Sequence, residues 1–349
     1  MLSIRDIQKI DVQKICLAYE RWPTLARESY EEKNEQLDLK NIDHFVFAGM
    51  GGSSIPGEII SDWLIDVSDI PIHVIKGFHL PKHVGKNSLL LALSLSGDTE
   101  ETLSIVDEAI RRGVTIGTLS SGGMLETISE KQGIPFTKVP KVLVPRVSFP
   151  FLLYPCARIL HESNLLKNNW KEVLNSIIEL EKTSRMIMSE TSLDNNPAKK
   201  IALEIFKKIP LIYGSPLNRS VAIRFKDSLN ENAKIHAVTD TLPELCHNEV
   251  MGFEEENRGM KHPILLRHHG ESVETTIRFE ILKNIIESNG YEVNEVWGNG
   301  NDRLSKIIST LYILDYVSIY VAVLRGVDPT PTHSIDQLKK DLVSKRNNI

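Results

Sequence analysis

Ser94-Leu95-Ser96-Gly97-Asp98-Thr99 lies between the apolar run Leu89–Leu93 and a segment whose apolar residues recur at helical spacing. An uninterrupted apolar run is typical of a strand that is buried on both faces of a parallel sheet. The hydroxyl groups therefore stand where a strand ends and a helix begins, next to free backbone N–H groups and the positive end of a helix dipole. This arrangement favours binding of a phosphate group, and an ordinary helix cap is the alternative interpretation.

A second segment of this kind is Phe47-Ala48-Gly49-Met50-Gly51-Gly52-Ser53, an apolar strand pattern that opens into a glycine-rich turn. Glycines let the backbone approach a ligand closely, and Ser53 adds a hydroxyl group. A dinucleotide-binding loop would need glycine in place of Ser54 and an acidic residue after the next strand, where Lys76 stands. A Walker A loop would end in Gly-Lys-Ser or Gly-Lys-Thr, which this segment lacks. The sequence therefore disfavours both nucleotide sites.

Length and composition bound the class of protein. The 349 residues are enough for two domains, and 41% hydrophobic with 25% charged residues is an ordinary balance for a globular protein. The net charge of −5 and the lack of a long basic cluster disfavour nucleic acid as a partner. The cysteines are far apart, so neither a disulfide framework nor a cysteine-based zinc site is expected. They are Cys16, Cys156 and Cys246.

We expect a cytoplasmic protein that has no membrane segment. The start of the chain carries Arg5 and Asp6, where a signal peptide needs an apolar core. A membrane-spanning helix needs about 18 or more consecutive, predominantly apolar residues. The most apolar helix pattern, residues 307–324, is interrupted by Asp315 and by several hydroxyl side chains.

The alternation of short apolar strands and helices predicts an α/β fold with two domains, each a parallel β-sheet sandwiched by helices. In the first half, after an amphipathic N-terminal helix, the expected strands are Phe45–Ala48, Ile72–Ile75, Leu89–Leu93 and Val114–Leu119. In the second half they are Pro210–Tyr213, Ile235–Val238, Pro263–Leu266 and Val293–Val296, between the helices Trp170–Met188 and Ser334–Lys345. Prolines at 140, 145, 150 and 155 mark the crossover. We therefore place the domains at residues 1–150 and 151–349.

The two halves also indicate an internal duplication. Ile212-Tyr213-Gly214-Ser215, followed by a helix from about Arg219, looks like a degenerate copy of Phe47-Ala48-Gly49 and the helix after it. Repetition of one structural unit at this scale is a recognised sequence signature. In this interpretation only the first copy retains the phosphate-binding loops.

The second half supplies candidates for acid and base chemistry. Glu231 ends one helix, and His247 follows the next strand. We expect both on loops at the same edge of a parallel sheet, where ligand crevices of α/β proteins form. A single glutamate or histidine is more often a solvated or core residue, and we keep that interpretation for His268 and His269. His247-Asn248-Glu249 is similar to part of a deaminase zinc motif, but the Pro-Cys-x-x-Cys partner is absent.

Taken together, four segments resemble the sugar isomerase (SIS) fold and, within it, the bifunctional phosphoglucose/phosphomannose isomerases. They occur in the family's order over nearly the whole chain and are Phe47–Ser53, Ser94–Thr102, Leu229–Lys234 and His247–Glu249. The resemblance implies a sugar 6-phosphate as substrate, and neither a metal nor a redox cofactor. It also implies a homodimer in which each active site borrows the ring-opening histidine of the other subunit.

The resemblance further implies a role for each site residue. Glu231 would move a proton between C2 and C1, His247 would open the sugar ring, and Arg146 would stabilise the enediolate. The C-terminal segment would supply Thr332 beside the substrate and Lys339 as an active-site lysine, chosen over its neighbour by alignment alone. The residues that would bind the sugar phosphate are Gly51, Gly52, Ser53, Ser94, Ser96 and Thr99.

These features predict an aldose–ketose isomerase that interconverts glucose 6-phosphate, mannose 6-phosphate or both with fructose 6-phosphate through a cis-enediol. One alternative is a non-catalytic regulator that binds sugar phosphates, although such a protein could have lost Glu231, His247 or Arg146. Another is an amino-sugar phosphate isomerase, or the isomerase half of a glucosamine-phosphate synthase. Against the full synthase, Cys16 lies within a helix pattern and is not a glutaminase nucleophile.

Overall fold

The computed structural model of the chain describes residues 2–32, 37, 39, 41–162, 166, 169–254 and 258–346. Within these residues the first sheet has five parallel strands in the order β2-β1-β3-β4-β5. They are β1 (His44–Ala48), β2 (Ile72–Ile75), β3 (Ser88–Leu93), β4 (Thr115–Ser120) and β5 (Phe136–Lys138). Val46 of β1 lies opposite His73 of β2 and Leu90 of β3.

A second parallel sheet, in the order β7-β6-β8-β9, has four strands in the described part of the chain. They are β6 (Ile209–Gly214), β7 (Val238–Thr241), β8 (Lys261–His268) and β9 (Asn294–Gly298). The strands β6 to β9 follow one another in space as β1 to β4 do. The repeated order agrees with the predicted duplication, and the two parallel sheets confirm the predicted fold class.

Helices connect the strands and cover both sheets. In the first half they are α1 (Ile4–Ile10), α2 (Ile15–Glu20), α3 (Trp22–Glu31), α4 (Ile55–Leu64), α5 (Glu100–Arg112), α6 (Gly123–Gln132) and α7 (Phe149–Glu162). In the second half they are α8 (Trp170–Ile187), α9 (Pro197–Ile205), α10 (Arg219–Ser228), α11 (Val273–Ser288), α12 (Arg303–Arg325) and α13 (His333–Arg346).

The alternation of side chains along the buried strands explains why each sheet has helices on two faces. In β1, Phe45 and Phe47 belong to the large central core, whereas Val46 and Ala48 belong to a separate core under α5. The second sheet divides in the same way. Ile212 faces the central core, and the neighbouring residues of β6 pack with α11.

The long helix α12 runs through the central core. It is apolar and long enough to cross a membrane, contrary to our expectation from the sequence, but 94% of its most apolar stretch is buried inside the protein. The neighbouring helices α8, α9 and α10 cover it. Its composition therefore follows from packing within the core. The cytoplasmic location stays a prediction.

The N-terminal segment differs from the single helix that we predicted. Asp11 ends α1, and its carboxylate accepts hydrogen bonds from the backbone N–H groups of Ile15 and Cys16, both at 2.8 Å. Lys14 adopts a left-handed conformation with a φ of +60°. These features cap a second helix at an angle to the first, so that Val12 is exposed and does not face the core.

One predicted strand was misplaced. The strand expected at Ile235–Val238 is instead β7, Val238–Thr241, because Ile235 packs against the central core as part of a loop. β7 is an edge strand and only partly buried, so its sequence needs no apolar run. Two of the four crossover prolines, at 150 and 155, lie within α7. The domain division at residue 150 therefore falls inside this helix, and it stays a prediction.

Candidate active site

The glycine-rich turn follows the carboxyl end of β1 and has a tightly constrained backbone. A side chain at Gly49 would place its Cβ 2.7 Å from the Ser53 carbonyl oxygen and 3.0 Å from that of Leu93, so this position requires glycine. Gly51 adopts a φ of +51° and is exposed. The Ser54 hydroxyl donates to the Gly51 carbonyl oxygen at 2.8 Å and closes the turn. The turn therefore presents its backbone and the half-buried Ser53 to a ligand.

The Ser94–Thr99 loop lies beside this turn, because β1 and β3 pair in parallel and both loops follow carboxyl ends. The Ser94 hydroxyl donates to the Thr99 hydroxyl at 2.9 Å and accepts the Gly97 N–H at 3.1 Å. Gly97 has a φ of +78°, and a Cβ there would lie only 1.7 Å from the Gly122 carbonyl oxygen. The loop is therefore held in shape, with Thr99 at the N-cap of α5.

The acidic residue of this loop turns away from the hydroxyl groups. The Asp98 carboxylate accepts the Met124 N–H at 2.8 Å, at the first turn of α6. Its own N–H donates to the Ser96 hydroxyl at 3.2 Å. A carboxylate at a helix N-terminus is favourably placed. The Asp98 carboxylate therefore interacts with the N-terminus of α6, and the exposed Ser96 hydroxyl remains accessible.

Arg146 is buried and holds four groups with its guanidinium. Nε donates to Asn232 Oδ1 at 2.5 Å, and Nη1 forms an ion pair with Glu231 Oε2 at 3.0 Å. Nη2 donates to the carbonyl oxygens of Pro329 at 2.6 Å and Thr330 at 3.1 Å. A fixed, planar donor of this kind suits charge stabilisation at a reacting centre. Arg146 therefore links the candidate base to the segment that leads into α13.

Glu231 lies on a π-helix, Leu229–Ala233, that directly follows α10. Single-turn π-helices are rare and frequently occur at functional sites. Asn232 anchors the turn by donating to the Ser318 hydroxyl at 2.8 Å. About a quarter of the Glu231 side chain, 24%, remains exposed, so its carboxylate is reachable from outside.

Lys234, which ends this turn, adds a second cation that our sequence analysis did not assign. Its φ of +56° is left-handed, a strained conformation for a residue other than glycine. Its Nζ donates to the backbone carbonyl oxygen of Glu231 and, at 3.3 Å, to that of Pro329. Burial, and next the positive charge of Arg146, lowers the pKa of Lys234. The site is therefore electropositive around one carboxylate.

At Gly52 the glycine-rich turn lies against the backbone of Arg146 and the side chain of Arg224. A Cβ at Gly52 would lie 3.9 Å from the Cα of Arg146 and 3.8 Å from Nη1 of Arg224. Arg224 is itself buried and donates to the Arg146 carbonyl oxygen at 2.8 Å. The predicted phosphate-binding turn thus lies next to the backbone of Arg146, whose side chain holds Glu231.

Arg224 and its partner Asp315 were missed by the sequence analysis. Their buried ion pair has an Nη2–Oδ2 distance of 2.9 Å, and Ser228 donates to the same carboxylate at 2.6 Å. Burial lowers the pKa of Arg224, but the charge and hydrogen bond of Asp315, together with the charges of Tyr19 and Glu231, keep that pKa above its ordinary value. In the sequence, the signal for this ion pair was one charged residue on the largely apolar buried face of each helix, Arg224 on α10 and Asp315 on α12. The Arg224–Asp315 ion pair therefore helps to hold the backbone of Arg146 in place.

His247 does not lie at the same sheet edge as Glu231, which corrects our expectation. Glu231 precedes β7, whereas His247 follows it, so the two residues lie at opposite ends of this strand. A strand of this length spans roughly 13 Å. Within the described part of the chain, no hydrogen bond or ion pair joins the two side chains, and His247 is exposed.

Lys339 lies on the C-terminal helix, and Thr332 directly precedes this helix. The Thr332 carbonyl oxygen accepts the N–H groups of Ile335 at 3.0 Å and Asp336 at 3.1 Å, so the residue begins α13. Lys339 is exposed on that helix. Among the residues that the structure describes, neither side chain forms a hydrogen bond with Arg146 or Glu231. The proposed role of this segment therefore depends on the approach of α13 to a bound substrate.

The fold is shared with known sugar-phosphate isomerases. The family model for the C-terminal SIS domain of bacterial phosphoglucose isomerase matches residues 194–342. The crystal structure of a glucose-6-phosphate isomerase like protein from Thermus thermophilus superposes with a TM-score of 0.65 and 18% identity, covering 97% of this chain and 98% of that one. The chain therefore has the fold of the SIS sugar isomerases.

Relatives of similar length define the family. The bifunctional phosphoglucose/phosphomannose isomerase of Caldicellulosiruptor bescii is 32% identical over 92% of this chain and 96% of its own length. The D-glucosamine-6-phosphate 4-epimerase of Sulfolobus acidocaldarius is also 32% identical, over 71% of this chain and 76% of its own length. The chain belongs to the family of bifunctional phosphoglucose/phosphomannose isomerases and is an enzyme of the sugar-phosphate isomerase class. This confirms the resemblance and disfavours the non-catalytic regulator.

Proposed function

We propose that this enzyme interconverts glucose 6-phosphate and mannose 6-phosphate with fructose 6-phosphate through a cis-enediol intermediate. The observation that carries the proposal is that Arg146 joins two parts of the molecule: its backbone lies against the glycine-rich turn at Gly52, and its side chain forms the ion pair with Glu231. One residue thus connects a candidate phosphate-binding turn, a fixed cation and a candidate carboxylate base. Aldose–ketose isomerisation needs these groups, since a proton moves between C1 and C2 and negative charge develops on oxygen.

The phosphate group would bind at the edge of the first sheet. The hydroxyl groups of Ser53, Ser94, Ser96 and Thr99 follow the carboxyl ends of β1 and β3, and the N-terminus of α5 adds a favourable dipole. Gly51 and Gly52 let the backbone approach the ligand. Binding of a phosphate remote from the reacting carbons positions the sugar over the base and lowers the entropic part of the barrier.

Glu231 would take the proton from C2 of the aldose and return it to C1, while Arg146 stabilises the enediolate. Arg146 is well suited to this role because four protein groups fix its guanidinium before the substrate arrives. His247 would open the sugar ring as an acid. Lys339 and Thr332 would approach the substrate from the C-terminal helix.

We propose that the protein is a homodimer and that His247 of each subunit completes the active site that contains Glu231 of the other subunit. The supporting observations are the exposure of His247 and its position at the end of β7 opposite to Glu231. The turn that carries His247 packs with α11, which presents an exposed apolar stripe at four-residue intervals. The stripe consists of Val273, Ile277, Ile281 and Ile285. A second copy of the chain would cover it.

A mixing experiment tests this shared site. Glu231→Gln and His247→Ala each remove one group, so each homodimer should be inactive. If the two variants assemble at random on co-expression, half of the dimers are mixed and each of these has one intact site, which restores about a quarter of the native activity. Inactivity of the co-expressed mixture would contradict the shared site, as would a monomer in solution.

A coupled assay tests the reaction itself. Glucose 6-phosphate and mannose 6-phosphate are supplied separately, and fructose 6-phosphate is measured as the common product. We expect turnover of both. Turnover of one epimer alone would restrict the proposal to that sugar, and binding without turnover of either would overturn it.

The similarity to a glucosamine-6-phosphate epimerase supports an amino-sugar phosphate as a second candidate substrate. The same hydroxyl loops would bind its phosphate, and the same carboxylate could move a proton. Glucosamine 6-phosphate in place of the neutral sugars distinguishes the two candidates. A kcat/KM for glucosamine 6-phosphate above that for both neutral sugar phosphates would favour the amino sugar.

A further inference from the structure

Three histidines of the first sheet lie together, away from the candidate active site. His44 is the first residue of β1, His73 lies in the paired strand β2, and His83 lies in the connection to β3. The ring centroids of His73 and His83 are 4.8 Å apart. The ring centroid of His44 lies 5.3 Å from that of His83 and 6.0 Å from that of His73. One ligand nitrogen of each ring lies within 4.8 Å of the other two.

A carboxylate orients one of these rings. Asp43 Oδ1 lies 2.7 Å from Nδ1 of His44. Asn87 holds Asp43 in place, since the Asp43 N–H donates to the Asn87 carbonyl oxygen at 2.8 Å and Asn87 Nδ2 donates to Oδ2 at 3.4 Å. Histidines that bind a metal commonly donate their other ring N–H to a carboxylate. The pair leaves Nε2 of His44 as the nitrogen for a metal.

Metal ions bind the unprotonated ring nitrogen of an imidazole, and each of the three rings offers one such nitrogen to the cluster. Apart from Asp43, no carboxylate forms an ion pair with these three side chains in the described part of the chain. A bound cation would satisfy the free ring nitrogens.

We propose that His44, His73 and His83 bind one divalent ion of the zinc class, with water in the fourth position. Three imidazoles and an open position are a common donor set for Zn²⁺, and they also suit Co²⁺ and Ni²⁺. Tetrahedral Zn–N bonds of about 2.0–2.1 Å separate the nitrogens by roughly 3.4 Å, somewhat less than the present spacing. His83 is exposed and the other two rings are half-buried, so small side-chain rotations close the site.

This site is separate from the proposed isomerase chemistry. His44 lies at the amino end of β1, whereas the glycine-rich turn follows its carboxyl end. Five strand residues span roughly 16 Å. The ion would therefore join β1, β2 and the connection that carries His83 without touching the substrate. Its role is structural, and its effect should appear in folding stability.

The test is Zn²⁺ binding to tag-free protein, measured by calorimetry as stoichiometry and dissociation constant. We expect one ion per cluster and at least a tenfold weaker affinity in His83→Ala, which removes an exposed ligand and leaves the fold intact. His79→Ala is the matched control, because His79 lies in the same connection, is largely exposed and belongs to no ligand cluster. Asp43→Asn should also weaken binding, by about tenfold or more.

Two further readouts make the result decisive. Co²⁺ in a tetrahedral site absorbs visible light more strongly than the hydrated ion, so we expect this band in the native protein and in His79→Ala but not in His83→Ala. Zn²⁺ should raise the Tm of the same two proteins only. Equal Zn²⁺ affinity in the native protein and His83→Ala would overturn the proposal. None of these measurements involves a sugar phosphate, so failure here leaves the proposed function untouched.

Discussion

The equivalent loops of the two sheets begin alike and then diverge. A Cβ on Gly49 would lie 2.7 Å from the carbonyl oxygen four residues later, and a Cβ on Gly214 would lie 3.1 Å from the corresponding oxygen. Beyond the glycine, the loop after β1 leaves Gly51 exposed. The loop after β6 is filled instead, since Asn218 is buried and donates to a carbonyl oxygen of β8 at 3.2 Å.

The next pair of loops shows the same contrast more strongly. After β3, the loop ends in the hydroxyl groups of Ser96 and Thr99. After β8, the corresponding loop contains Glu271, whose carboxylate accepts the His268 N–H at 3.0 Å and pairs with Arg267 at 2.7 Å. In the loop after β8, the protein's own carboxylate thus accepts the available hydrogen bonds, whereas the Ser96 hydroxyl in the loop after β3 is exposed.

In the described part of the chain, each half also contains a buried arginine that holds a glutamate carboxylate, Arg146 in the first half and Arg267 in the second. The side chains of Arg146 and Arg267 are 2% and 4% exposed, but Glu231 is 24% exposed and Glu271 only 2%. The Glu231 carboxylate can therefore be reached from outside, whereas Glu271 is enclosed. Arg267 also pairs with Glu295, which is 20% exposed, at 2.8 Å, so two protein carboxylates occupy its guanidinium. In the proposed function, similar local chemistry thus serves a reaction in one place and stability in the other.

The largest expected effect is the difference in kcat between the variants Arg146→Lys and Arg267→Lys. Lysine keeps the charge but cannot make the fixed fork of hydrogen bonds. We expect kcat to fall by about 10²–10³ in Arg146→Lys, as for the loss of a preorganised oxyanion donor. Arg267→Lys should keep near-native kcat and lose about 1–3 kcal/mol of unfolding free energy. Steady-state kinetics and urea unfolding check both, and equal kinetic losses would remove the contrast.

Substitutions of hydroxyl residues in the loop after β3 and in the loop after β8 should differ in their effect on KM. Ser96→Ala or Thr99→Ala removes a charge-assisted hydrogen bond of about 1.5–3 kcal/mol, so KM for a sugar phosphate should rise roughly tenfold or more. Ser272→Ala is the control from the second sheet, where Ser272 caps α11 by accepting the Thr275 N–H. It should lower stability by about 1 kcal/mol without changing KM. Unchanged KM in both first-sheet variants would identify their loop as a helix cap only.

The two strand-end glycines should differ in tolerance to alanine. The closer approach at Gly49 predicts a loss of about 1–3 kcal/mol in unfolding free energy and a misplaced turn. Gly214→Ala meets its nearest backbone atom at a longer distance and should cost less. Chemical denaturation measures both, with kcat/KM as the second readout. Greater damage from Gly214→Ala would contradict the assignment of the functional turn.

The smallest expected effect concerns the choice between epimers. Glucose and mannose 6-phosphates differ only at C2, so an enzyme for both must let the intermediate rotate about C2–C3. A short threonine at 332 leaves room for this rotation, and Thr332→Gln should suppress mannose 6-phosphate turnover a few-fold more than glucose 6-phosphate turnover. Ser334→Gln, nearby on the exposed helix α13, is the control. Equal losses on the two sugars would leave Thr332 as a helix cap.

Much of the fold was predictable because buried strands carry continuous apolar runs. Strands β1 and β3 begin within one residue of the predicted positions. β7 was misplaced because an edge strand needs no such run, and β5, with three partly exposed residues, gave no signal. The break between α1 and α2 depends on the capping carboxylate of Asp11, which the apolar pattern alone does not reveal.

The site was less predictable from local patterns. The hydroxyl loops are continuous in sequence, so their position after strands was evident. Arg146 and Glu231 lie in distant segments, and their pairing was not predicted, although Glu231 was a candidate base from its position and the resemblance implied a role for each residue. Neither the Arg224–Asp315 pair nor the histidine cluster was foreseen, because both depend on which helices and strands become neighbours in space.

Proton exchange at C2 tests the central claim most directly. Glucose 6-phosphate is incubated with enzyme in D₂O, and loss of its C2 proton is followed by NMR. The native enzyme should exchange this proton, and Glu231→Gln should exchange it about 10² times more slowly or not at all while still binding the sugar phosphate. Glu130→Gln, at an exposed glutamate of α6, should match the native rate. Exchange at the native rate by Glu231→Gln would contradict the assignment of Glu231 as the base.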